Sequence, residues 1–182
     1  LIESAVSGDL DLKGSFDSQR SSVQLISDNG SVSLVPFGTE SESNIKAGTS
    51  VLVKSKNDLT LNNTTIDSGT TTDLISQNKI DFVGKITSGD NTTLDSQTGV
   101  TVGGSINSQG GATIINRTSG VVDVAGDVTA INDVFVSNLN STLQPGTTAI
   151  SNTGSLTSTN GTVAVISSSG DIIMPHTAGK GD

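Results

Sequence analysis

The sequence predicts an all-β protein: a single-stranded parallel β-helix (solenoid) of about eight coils, roughly 20–22 residues each, with three short strands per coil. Three observations predict it. Apolar pairs return at a near-constant period, with Leu59/Leu61, Ile80/Phe82, Val100/Val102 and Val122/Val124 beginning 21, 20 and 22 residues apart. Two further aliphatic columns keep step with them, Ile66, Ile86, Ile106 and Val128, then Leu74, Leu94, Ile114 and Val134. Composition suits a thin stacked core, because only 32% of residues are hydrophobic and 2% aromatic, with no Trp or Tyr. A period of this length marks stacked units that touch only their neighbours.

Each column reads as one strand. In Val100-Thr101-Val102 the two valines face inward and Thr101 outward, because side chains alternate with a period of two along a strand. The pattern extends upstream through Leu10/Leu12, Phe16 and Val23/Leu25, then Val32/Leu34, Ile45 and Val51/Val53. Downstream it weakens through Leu143, Ile150 and Leu156 and returns at Val163/Val165 and Ile172. The whole chain, 1–182, therefore reads as one β-helix domain. At about 4.8 Å per coil its length is about 35–40 Å.

Corners fall where the strands need them. Asn29-Gly30, Asn57-Asp58, Thr98-Gly99, Ser119-Gly120, Asn160-Gly161 and Ser169-Gly170 are expected to precede the first strands of successive coils. Gly and Asn tolerate the left-handed backbone that tight corners use. Stacked polar residues at such corners can form hydrogen-bonded ladders along the rod. Residues 35–44, Val-Pro-Phe-Gly-Thr-Glu-Ser-Glu-Ser-Asn, exceed the common period by about seven and predict a projecting loop. Its Phe37 is expected to pack beneath that loop. Leu139 to Thr148, with Pro145-Gly146, predicts a second projecting turn or a frayed coil. The segment 176–182 reads as a flexible tail.

Competing classes fail on the same evidence. Disorder would leave the aliphatic columns out of register, and helix is opposed by β-branched residues, frequent Gly and the lack of three-to-four spacing. The net charge of −9 and pI near 4.3 disfavour nucleic acid and anionic membrane as partners. No apolar run reaches the roughly 18–20 residues that a spanning helix needs. With no cysteine, disulfides and thiolate metal sites are excluded. The chain starts without Met or a signal peptide and reads as a mature or excised piece of something larger.

A search for chemistry returns no catalytic, cofactor-binding or metal-binding residues. Parallel β-helices also carry polysaccharide-cleaving enzymes, whose sites need converging carboxylates. Asp81 and Asp123 occupy equivalent outward positions, but Thr101 lies in the coil between them, which separates them by about 10 Å. A solvated surface accounts for both. His176, the sole histidine, has no Gly-x-Ser-x-Gly partner motif. No calcium-binding Gly-Gly-x-Gly-x-Asp repeat, phosphate loop or dinucleotide fingerprint occurs. Asn29, Asn62, Asn63, Asn91, Asn116, Asn140 and Asn160 each head an Asn-x-Ser/Thr glycosylation sequon.

The repeat Gly99-Val100-Thr101-Val102-Gly103-Gly104-Ser105-Ile106-Asn107-Ser108, and the neighbouring Lys79 to Ser88, resemble shaft repeats of the filamentous haemagglutinin family. That resemblance covers most of the chain and implies a right-handed parallel β-helix within a very long protein secreted to the bacterial surface. Asn-Pro-Asn signatures of the family's secretion domain are absent, which implies a place in the shaft or outside the family. The resulting expectation is a non-catalytic, extracellular structural or adhesive segment. Its expected partners are neighbouring coils or end-to-end copies, with host-cell or matrix glycans and proteins as ligands. A self-assembling filament subunit is the alternative, and a polysaccharide-active enzyme comes third.

Overall fold

The computed structural model describes the strand Ile2–Ser4 and residues 8–174; the expected tail, with His176, lies outside them. Every element is a strand, and every pairing is parallel between one coil and the next. Seven complete coils span Leu10–Ser167, flanked by the third-position strand Ile2–Ser4 and the first-position strand Asp171–Ile173. The described residues thus form a parallel β-solenoid of about seven turns, in keeping with the fold class read from the sequence.

Register bears out the three columns. Leu10, Val32, Leu59, Ile80, Val100, Val122, Ile150 and Ile172 stack as partners in the first position. Phe16, Ile45, Ile66, Ile86, Ile106, Val128 and Leu156 stack in the second. In the third, Leu25, Val53, Leu74, Leu94, Ile114, Val136 and Val165 do the same. From the second coil to the sixth these side chains are buried, while the outward residue between each inward pair stays half-buried or exposed. Each aliphatic side chain is covered by its counterparts one coil away, which lets so few apolar residues form a continuous core.

Four local readings are corrected. In the third and fourth coils the first two strands merge into ten-residue runs, Leu59–Ser68 and Lys79–Ser88. The bend survives as a bulge in which Asn63, at φ 49°, is skipped by the pairing. Asn adopts that left-handed backbone more readily than most residues. Ile150 and Leu156 belong to the first and second columns, and Leu143 packs against the core from the loop before them. Asn160-Gly161 turns into a third strand, Val163–Ser167, because the 139–147 loop delays the seventh coil. Phe37 is 62% exposed rather than tucked under its loop. That loop spans 36–42, between Val32–Val35 and Ser43–Ala47.

Polar ladders run inside the corners. Ser27, Ser55, Ser76, Ser96, Asn116 and Asn138 stack at the inward ends of the third strands and are all buried. Their side chains satisfy the following turn: Ser27 Oγ accepts from Gly30 N at 2.9 Å and Ser76 Oγ from Asn78 N at 3.0 Å. Asn116 Nδ2 donates to Asn138 Oδ1 at 3.0 Å, an amide step within the ladder. At the opposite end of the third strands, Thr72 bonds Ser68 at 2.8 Å and Ser88 at 3.0 Å, and Ser88 bonds Thr92 at 2.7 Å. Between first and second strands, Gly84, Gly104, Gly126 and Gly154 lie in one column. A Cβ on any of them would strike the backbone of the coil below.

Candidate binding surface

The common corner between first and second strands is short, and the third coil crosses it with Asn62 and Asn63 alone. The second coil crosses the same corner with 36–42, so the extra residues can only project outward. The loop leans back on its neighbour, Thr65 Oγ1 donating to Glu42 Oε2 at 3.0 Å. Two adjoining clefts open at its base. One of about 260 Å³ is lined by Ser15, Glu40, Ser41, Glu42 and Asn44. The other, of about 300 Å³, runs across the outward side of Asp17, Asn44, Lys46, Thr65 and Asp67.

Stacking arranges these groups in a ladder. Asp17, Lys46 and Asp67 are register partners on successive second strands, which spaces carboxylate, ammonium and carboxylate at about 4.8 Å along the backbone. Lys46 Nζ lies 4.0 Å from Asp67 Oδ2, with both side chains more than half exposed. Such an exposed pair contributes little to stability. The ladder escaped the sequence reading, although each member directly follows an inward second-column residue: Phe16, Ile45 or Ile66. Aligning the repeats on that column brings the charges into line.

The other candidates stay apart. Asp81 and Asp123 are separated by Thr101 in the register, and Asp81 sits 3.8 Å from Lys79. Among the described residues, no group of three or more acidic or histidine side chains converges on a point that would hold a metal. Arg117 clasps Asp95 with two hydrogen bonds of 2.6 Å, which raise the guanidinium pKa. Asp127 is held below the usual carboxylate range by the hydroxyl and backbone N–H of Ser155, and Asp133 by the backbone N–H and hydroxyl of Thr162. These last contacts join the sixth coil to the seventh.

Of the seven sequons, Asn116 and Asn140 are buried and hydrogen-bonded, so the folded chain cannot carry sugar there. Asn29, Asn62, Asn63, Asn91 and Asn160 are exposed. Comparison with family models, curated proteins and solved structures finds no match.

Proposed function

We propose that this chain is a non-catalytic, extracellular structural and adhesive shaft segment of a large secreted bacterial surface protein, of the kind its Gly99–Ser108 repeat resembles. The supporting observation is the continuous parallel pairing of strands through seven coils. A hydrogen-bonded ladder of that kind transmits load along the axis and resists local opening, since every internal strand is held on both edges. The clefts beside 36–42 offer polar donors and acceptors to host glycans or proteins without disturbing the core.

The test is surface labelling. Antibodies raised against the purified chain should stain intact cells of the source organism, and brief protease treatment of those cells should abolish the signal. Staining only after permeabilisation would overturn the reading. Depolymerisation of a polysaccharide panel by the purified chain, lost on substituting one carboxylate, would favour the enzyme.

A filament subunit is the second reading. The last described strands, Leu156–Ser158, Val163–Ser167 and Asp171–Ile173, are paired on one side only, and Val163, Ile172 and Ile173 are exposed beside them. Filaments growing with concentration in electron micrographs would support end-to-end stacking; stable short rods would oppose it.

A further inference from the structure

The outward sides of the strands differ in a way that the core does not explain. On the second strands every outward residue is polar, through Asp17, Lys46, Asp67, Thr87, Asn107, Thr129 and Thr157. On the third strands one outward row carries isoleucine at every other coil: Ile26, Ile75, Ile115 and Ile166. Exposed Lys54, half-buried Asp95 and fully buried Ser137 occupy the coils between. The parallel row adds Leu52 and Phe135. Ile166 is 47% exposed and the other apolar members are half-buried, so together they pave one face of the rod.

We propose that this face docks a second copy of the same chain, side by side and antiparallel. The alternation itself selects the occupant. A two-fold axis along the strand direction through Asp95 maps the row onto itself in reverse. Ile26 then faces Ile166 of the other copy and Ile75 faces Ile115. In the second row Leu52 faces Phe135. Asp95 meets its own copy on the axis, but each carboxylate is already held by the bidentate Arg117 of its own chain, so two ion pairs adjoin rather than two bare charges. Lys54 comes opposite the coil of Ser137, which is already buried within its own chain, and Asp73 faces Thr113. A parallel arrangement would instead set Lys54 on Leu52 and Asp73 on Ile75. A closed two-fold contact needs this kind of self-complementarity.

Area sets the strength. Seven strands at about 4.8 Å, each about 16 Å long, present about 500 Å² per copy, or about 1,000 Å² in all, the lower bound for a specific interface. An interface of that size suits a weak, reversible association. It is independent of the shaft reading and of end-to-end stacking, since it uses the side of the rod.

Sedimentation of the full chain over a concentration series tests it. A reversible monomer–dimer equilibrium is expected, shifted at least tenfold toward monomer by Ile115→Lys and left in place by Asn107→Lys on the polar face. Circular dichroism verifies that each variant is folded, and Ile75→Lys serves if Ile115→Lys is not. The chain has no cysteine, so Thr93→Cys, on the axis, should give dimers with a short bismaleimide that spans the roughly 10 Å between packed sheets. Thr60→Cys on a first strand should not. A monomer at the highest concentration, a dimer indifferent to both lysines, or equal cross-linking from the two cysteines would overturn the proposal.

Discussion

Replacing Val100 by Asp tests the stack at its centre. Val100 is 1% exposed and lies between Ile80 and Val122 of the adjoining coils. Removing the valine forfeits about 1.5–3 kcal/mol of burial. Placing even a neutral carboxyl there without partners costs about 2–7 kcal/mol more. The loss rivals the roughly 5–15 kcal/mol total stability of a typical protein. In urea, with a slope of about 2 kcal/mol per molar, the midpoint should fall by about 2 M or more. Because coils touch only their neighbours, damage should centre on the fourth to sixth coils and decay outward. Hydrogen exchange read by mass spectrometry locates it. The same change at Ile172, already 41% exposed at the end of the column, should shift the midpoint by less than about 0.5 M. An unchanged midpoint in the Val100 variant, or equal effects at both sites, would refute the stacked-core argument.

Three further outcomes follow from the corners and the surface. Gly104→Ala should destabilise more than its single methyl suggests, by about 2 kcal/mol or more, because the new Cβ meets the backbone of Gly84; denaturant melts check this. Replacing 36–42 by the Asn-Asn that serves the third coil should change stability by less than about 1 kcal/mol, while abolishing any ligand binding at its base, as read by glycan-array signal. Asp127 and Asp133 have lowered folded pKa values, so their stabilising contacts are present above the unfolded value near about 3.9 and are lost as pH falls through the folded value. Acidification below about pH 4 should therefore loosen the seventh coil before the third. Amide NMR signals of Ser155 and Thr162 should shift ahead of those of Thr64 and Ile66.

The described stack also separates two roles for polar residues. Inward Ser and Asn side chains at the ends of the third strands close hydrogen bonds with the turns that follow, as Ser96 does in accepting from Gly99 N at 3.2 Å. Most outward ones are left for solvent or partners, buried Ser137 excepted. Composition alone gives both sets the same appearance.

What the sequence by itself determined is the period, the three aliphatic columns and the inward or outward sense of residues such as Val100 and Thr101. These follow from the two-residue alternation of strands and from the need of each coil to cover the next. The insertion at 35–44 was legible for the same reason, as a departure from a fixed length. Only tertiary structure decided the rest. The 139–147 loop shifts the phase of the last coil, so Asn160-Gly161 serves a third strand, a fact that depends on which strands pair. Asn63 absorbs a bend that merges two strands, which requires the partner's register to be known. Phe37 stays exposed, while its loop leans on the third coil through Glu42. The charged ladder from Asp17 to Asp67 and the isoleucine row from Ile26 to Ile166 join residues about twenty to thirty apart in sequence, and only coil stacking at about 4.8 Å makes them neighbours.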